Sequence, residues 1–164
     1  MKYVLRTIVL SFFALFIANG AQAQEKDRTY KHWTVYITKL QGKKTCYMAS
    51  FPTNQKGNYR RRDEPYLLVT RMANNVYEVS ASSGYPYKKG SDINVDVDGK
   101  KYTMFTQGEL AWAHGAQQDI DMVRKMKAGN KFMVRGTSQL GTYSIDTYSL
   151  SGFTAAFNRM NSEC

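Results

Sequence analysis

The chain has 164 residues, with 43% hydrophobic and 13% aromatic content, two cysteines and 23 Lys plus Arg against 13 Asp plus Glu, a formal charge of +10. That length and composition exclude a disordered, collagen-like or disulfide-dense miniprotein class and suit one globular domain. The positive excess predicts attraction to anions, or charge that simply keeps the protein soluble.

At the amino end, Lys2 and Arg6 precede an apolar run from Thr7 to Ala18 that closes on Ala21-Gln22-Ala23. This is the order of a secretory leader: a positive segment, a short apolar segment, then small residues for the peptidase. The run falls short of the roughly 20 apolar residues that span a membrane. The reading is a signal peptide over residues 1–23 and a single domain over 24–164, with no membrane span after cleavage. Losing Lys2 and Arg6 takes the formal charge from +10 to +8. A protein delivered to the periplasm, the outer envelope or the medium meets phosphate-bearing or acidic envelope components, acidic glycans and host-surface molecules as its anions, and not nucleic acid.

From Trp33 onward apolar and polar residues alternate, with Trp33, Val35 and Ile37 on one side and Thr34, Tyr36 and Thr38 on the other. Similar β-rich runs follow at Thr45–Ser50, Tyr66–Met72, Val76–Ala81, Ile93–Val97, Tyr102–Thr106, Lys131–Thr137 and Thr142–Ser149, separated by turn residues. About eight strands at this spacing predict a mainly β fold, an antiparallel sandwich or barrel. Asp98-Gly99 predicts a two-residue hairpin turn pairing Val97 with Lys100, Val95 with Tyr102 and Ile93 with Met104. The stretch from Pro52 to Pro65, holding Lys56, Arg60, Arg61 and Arg62, reads as a basic surface loop.

Two helices interrupt the pattern. Ile120, Val123 and Met126 recur at helical spacing between Gln117 and Ala128, with acids early, bases late and Gly129 placed to cap. A carboxyl-terminal helix is expected from about Gly152 through Phe153, Ala156, Phe157 and Met160. Cys46 and Cys164 allow one intramolecular bridge, which an oxidising compartment favours. Closing a loop of roughly 120 residues would contribute about 4–5 kcal/mol on the chain-entropy model.

Few constellations carry chemistry. Asn94-x-Asp96-x-Asp98-Gly99 resembles the start of a calcium loop, but the twelfth position is Phe105 rather than an acid, and a hairpin accounts for the spacing. His32 and His114 lack partners at metal-ligand spacing and sit beside Trp33 and Trp112; no metal and no cofactor are expected. A triad of Ser149, His114 and Asp146 can be drawn, but no nucleophile-elbow or oxyanion motif accompanies it. Basic residues at the turns, namely Arg60, Arg61, Arg62, Lys88, Lys89, Lys100 and Lys101, lie near abundant tyrosines and form the candidate anion-binding set. An exported hydrolase drawing on Asp63, Glu64 or Glu109, and a carrier holding a small apolar ligand between its sheets, are the rival readings.

The carboxyl end carries a more specific pattern. Gly141-Thr142, then Asp146-Thr147-Tyr148-Ser149-Leu150-Ser151-Gly152-Phe153-Thr154-Ala155-Ala156, together with Trp33, Cys46, Pro52, the run Gly84 to Gly90, Ala111-Trp112 and Cys164, resembles the invasion-associated locus B family of exported bacterial proteins. The resemblance implies an envelope or secreted β-sandwich without known catalysis, in a family named for entry into host cells. Within that signature Trp33, Ala111, Trp112, Tyr148, Ser149, Leu150, Gly152, Phe153 and Ala156 are expected to be structural. Family members commonly carry a further cysteine shortly after the first tryptophan, where this chain has Tyr36, which leaves Cys46 and Cys164 as the single candidate bridge. The expectation is thus a non-catalytic binding protein of the envelope or the exterior, with a possible role at host surfaces.

Overall fold

The computed structural model describes residues 25–40 and 42–164; the leader read at residues 1–23 lies outside the described residues. Eleven strands form one antiparallel sheet: β1 (Glu25–Tyr30), β2 (Trp33–Leu40), β3 (Lys43–Ser50), β4 (Asn54–Gly57), β5 (Tyr66–Arg71), β6 (Tyr77–Ser82), β7 (Ile93–Val97), β8 (Lys100–Gln107), β9 (Leu110–Ala113), β10 (Lys131–Thr137) and β11 (Tyr143–Ser149). Two helices, α1 (Ala116–Ala128) and α2 (Phe153–Glu163), complete the domain. The spatial order is β1-β2-β3-β5-β6-β9-β8-β7-β10-β11-β4.

That order forces the sheet to curl. β3 and β4 stand eight places apart, roughly 38 Å across a flat sheet, yet only Phe51 to Thr53 connect them, and four Cα steps reach about 14 Å. The far edge must therefore swing back over β3. It does so: the Thr53 N–H reaches the Thr147 carbonyl at 2.8 Å. The result is an open, sandwich-like sheet with one enclosed face. Trp33, Met48, Leu67, Val79, Ile93, Met104, Phe132 and Tyr148 fill that face, and α1 and α2 add Met122, Met126, Phe153 and Met160.

The eight runs expected from alternation are strands, and the Asp98-Gly99 hairpin has the anticipated register, from Val97↔Lys100 to Ile93↔Met104. Asp98 and Gly99 take φ values of 46° and 87°, as a type I′ turn requires. The acids of the calcium-like motif serve the turn instead: Asp96 Oδ1 accepts the Gly99 N–H at 2.7 Å. Three strands go beyond the expected eight. β1 and β4 are polar and form the two edges of the sheet, and β9 is only four residues long. Edge strands bury neither face fully, so alternation is not imposed on them. The segment from Pro52 to Pro65 is accordingly not a simple surface loop, because β4 lies within it and pairs Gln55 with Asp146.

α1 is rotated from its expected face. Ile120 is 44% exposed, while Asp119 turns inward with Met122, Val123 and Met126. The cause is polar: β9 pairs with β6 only from Ser80 to Ser82, and Asp119 Oδ1 accepts the Val79 N–H at 2.8 Å just past that point. Burial pushes the Asp119 carboxyl up to about 6, against the Val79 bond that lowers it.

The two ends of the sheet meet at a seam. Trp33 is fully buried, donates its indole N–H to the Ser149 carbonyl at 3.0 Å, and sets its ring edge-on to Phe153 at 4.9 Å. Gly152 caps α2 at φ 95°, and a Cβ there would lie 2.0 Å from the Tyr30 carbonyl oxygen. Cys164 bridges to Cys46 on β3, as the cysteine count predicts, across 118 residues. Arg159 of α2 grips Asp27 of β1 through two 2.8 Å bonds and holds its carboxyl below the ordinary range.

Three substitutions test the stability of this fold. Gly152→Ala should lower unfolding free energy by about 3 kcal/mol or more, through an unfavourable φ and a backbone clash. Gly141→Ala, at φ 81° with open space around it, should cost only about 1 kcal/mol; denaturant titration measures both. Because the folded Asp119 binds its proton more tightly than the unfolded chain, with an ordinary carboxyl near 3.9, its contribution favours the fold below about pH 4 and declines as pH rises through about 6. Asp119→Asn keeps the acceptor for Val79 and should remove this part of the stability-versus-pH slope, on the order of 2–3 kcal/mol between pH 4 and 7.

Candidate functional site

Along β10 the residues alternate between exposed and buried, so Lys131, Met133 and Arg135 face outward while Phe132 and Val134 face the core. The pairing registers carry this outward face across five strands. One row runs Lys101, Asp96, Met133, Thr147, Asn54; the next runs Thr103, Asn94, Arg135, Ile145, Lys56. A groove of about 290 Å³ follows these rows, with Met133 and Ile145 as apolar floor and Lys101, Arg135, Asn94 and Asp96 around it. Among the described residues of the two rows, three cations face the single acid Asp96, whose Oδ1 is already engaged by the Gly99 N–H.

Arg135 is held against an aromatic ring. Its guanidinium carbon lies over the Tyr143 ring, 4.7 Å from the ring centre, a cation–π contact that restrains the donor fork on this face. Lys131 follows the same face toward the Ser149 end of the ladder.

The basic residues singled out from sequence divide between this face, its rim and the interior. Lys101 lines the groove. Arg60 and Arg61 are exposed beyond β4, in the segment where Asn58 exchanges bonds with Tyr143. Lys88 and Lys89 are exposed on the loop tied to the end of β10 through the Lys88 N–H and the Thr137 carbonyl. Lys100 pairs with Asp121 of α1 at the opposite end of β7, and that carboxylate also accepts the Tyr102 hydroxyl. The set is therefore not one patch.

Arg62 corrects the surface reading outright. Its side chain is 3% exposed and forms an ion pair with Asp146, which is fully buried. Nη1 donates to Asp146 Oδ2 at 2.7 Å and to the Ser83 carbonyl at 3.0 Å; Nη2 reaches Asp146 Oδ1 and Gln55 Oε1, and the Tyr59 ring covers the guanidinium at 4.2 Å. Ser144 donates to the same carboxylate and meets the Tyr85 hydroxyl at 2.8 Å. Fork-to-fork pairing and neutral donors offset much of the desolvation of both ions, while Arg62 Nε is buried without a hydrogen-bond partner among the described residues.

The same pair disposes of the sketched triad, because Asp146 faces Arg62 while the His114 Nε2 is 2.9 Å from Asp92 on the surface. His114 also packs 5.8 Å from Phe105, an aromatic edge as expected. Asp63, Glu64 and Glu109 are exposed, and the Asp63 N–H and carbonyl are committed beside Gly84. The enclosed face that a carrier would use is packed with side chains. Of the structural signature, Trp33, Ala111, Tyr148, Leu150, Phe153 and Ala156 are buried, Ser149 accepts the Trp33 indole, and Trp112 stacks on Phe105 at 5.6 Å. Arg135 and Lys131 were not singled out in sequence, because a basic residue within a strand gives no sign of which neighbours share its face.

The family model described as Invasion associated locus B (IalB) protein matches residues 33–161. A crystal structure of invasion associated protein B from Bartonella henselae is similar in fold, with a TM-score of 0.63 and 19% identity over 85% of this chain and 95% of that one. Among curated proteins, none matches.

Removing one member of the interior pair leaves an unpaired buried ion. Arg62→Leu or Asp146→Asn should lower stability by about 3–5 kcal/mol, and the double variant Arg62→Leu with Asp146→Leu should recover part of the loss. Arg60→Ser and Arg61→Ser should stay within about 0.5 kcal/mol of the parent. Denaturation midpoints of the five proteins separate interior from surface arginines.

Proposed function

We propose that this chain, which belongs to the Invasion associated locus B family, is an exported, non-catalytic binding protein of the bacterial envelope or exterior that holds an anionic surface polymer. The observation that carries the reading is the outward groove with Lys101, Arg135 and Lys56 in adjacent rows. An acidic glycan or a phosphate-bearing saccharide suits it: Arg135 offers a planar fork to carboxylate or phosphate, Met133 and Ile145 offer an apolar floor, and Asn94 offers an amide for hydroxyl groups. The exposed cations Arg60, Arg61, Lys88 and Lys89 extend the positive field at the rim and steer an anionic chain toward it.

Export is supported by two features of the chain. The leader pattern at residues 1–23 addresses it across the inner membrane, and the Cys46–Cys164 bridge is chemistry of an oxidising compartment. No helix among the described residues is long and apolar enough to cross a membrane. The Bartonella henselae protein carries invasion in its name; outside the inner membrane, the same basic face would meet both the cell's own acidic envelope and host-surface glycans.

The test is a triple variant, Lys56→Ser with Lys101→Ser and Arg135→Ser. Each cation near an anionic surface contributes about 1 kcal/mol, so retention on lipopolysaccharide or a sulfated glycan at low salt should fall at least tenfold while the melting temperature holds within about 2 °C. Adding salt should weaken the parent far more than the variant. Undiminished binding of the variant would reject this face.

A further inference from the structure

A second concavity lies on the other half of the outward face and has the opposite electrostatic character. Where β9 stops pairing with β6 beyond Ser80, the first turn of α1 closes the gap only in part, leaving an open notch of about 430 Å³ lined by Glu78, Phe105, Gln107, Trp112 and Asp119. In a chain of formal charge +10, no Lys or Arg among the described residues lines this notch and two carboxylates do.

Its walls are aromatic. Phe105 and Trp112 face each other across β8 and β9, with rings stacked at 5.6 Å and 25°, and Phe105 is 40% exposed. The buried acid is unusual as well. Asp119 is 7% exposed, its Oδ1 takes the Val79 N–H, and its Oδ2 has no hydrogen-bond partner among the described residues while the residue lines the notch. Glu78 adds a second negative charge that disfavours ionisation of Asp119. A largely buried carboxylate whose second oxygen opens onto a notch that no cation lines offers its charge to a positively charged occupant.

From this geometry we infer that the notch binds a small organic ammonium ion, with the cation against the face of Trp112 that is turned away from Phe105 and its charge met by Asp119 and Glu78. Indole and phenyl faces attract a cation within about 6 Å of the ring centre, Trp most strongly. An inorganic cation would gain little from the indole face. A neutral apolar molecule would leave both acids unmatched, and an anion would be repelled.

Choline is a suitable probe, with 3,3-dimethylbutan-1-ol, its uncharged isostere, as control. Of the two tryptophans, Trp33 is buried and hydrogen-bonded to Ser149, so indole N–H resonances read Trp112 against an internal reference. At pH 7.5, above the point of about 6 to which burial pushes Asp119, choline should shift the Trp112 signal saturably and leave Trp33 unmoved. The isostere should bind at least tenfold more weakly. Asp119→Asn, which retains an acceptor for Val79, and the exposed-side variant Glu78→Gln should each weaken choline at least fivefold without altering the Trp33 resonance. N-acetyl-lysine methylamide serves as a third probe for a protein lysine as the natural occupant. No shift of Trp112, equal binding of the isostere, indifference to both acid substitutions, or a lysine derivative binding tenfold tighter than choline would each overturn the assignment.

Discussion

The structure depends on the seam where the start of the sheet meets its end. β2 is second in the sheet and β11 is tenth, yet the Trp33 indole donates to the Ser149 carbonyl and the His32 N–H meets the Ser151 carbonyl at 3.3 Å. Without that closure the inner face of an eleven-stranded sheet would open to water, and the burial of its aromatic and methionine side chains would be lost. The seam is also where chain sterics are tightest. Gly152 passes so close to Tyr30 that no side chain fits, and the turn it makes delivers Phe153 to the edge of the Trp33 ring. α2 then lies across β1, β2 and β3, pinned by Arg159 to Asp27, by Asn161 to the Tyr77 hydroxyl and by Cys164 to Cys46. Covalent, ionic and packing restraints thus converge on the last helix. A long-range sheet closed this way gives up much chain entropy before its contacts form, and the bridge reduces that loss by confining the unfolded chain.

A second lock holds the other edge. β4 contributes no core residue, and its pattern is exposed throughout; what anchors the segment around it is Arg62, driven inward to Asp146 and Ser83. The neighbouring close approaches serve the same junction. Gly84 lies against the Asp63 carbonyl, and Gly136 leaves room for the Tyr87 ring and the Tyr85 hydroxyl, while the Tyr85 and Tyr87 hydroxyls bond to Ser144 and Ser83. This is a polar core in a sheet otherwise filled by apolar side chains, and its hydrogen bonds have direction, so it fixes how the edge strand docks in a way that methionines alone would not. The outward face carries cations on its β7, β8, β10, β11 and β4 half and an acidic aromatic notch beside β6, β8 and β9.

Much of this was legible in the chain itself. Alternation marked eight of the strands because each buries one face, and Asp98-Gly99 fixed a hairpin register because two consecutive positive φ angles admit few residues. Two cysteines allowed one bridge, and the signature around Tyr148 to Ala156 pointed to the family and to a turn at Gly152 that seats the last helix. β1 and β4 escaped because edge strands need no apolar face, β9 because four residues are too few to show a period, and the inward turn of Asp119 because its partner, the Val79 N–H, is 40 residues away. Ile120 fitted the helical period better than Asp119 did, but a hydrogen bond left open by the end of β9 decided the rotation.

The sequence by itself thus determined the class of fold, the strand alternation, the bridge and the family, since these rest on local periodicity, turn sterics and the identity of few residues. Only the tertiary structure decided which charges are surface and which are interior. Arg60, Arg61 and Arg62 are adjacent and chemically alike, but the third is taken into the core because Asp146, 84 residues on, is buried there as its counter-ion. Arg135, Lys101 and Lys56 become one face because strand register aligns them. Charge tells what a side chain attracts; the fold's long-range pairing tells what it can reach.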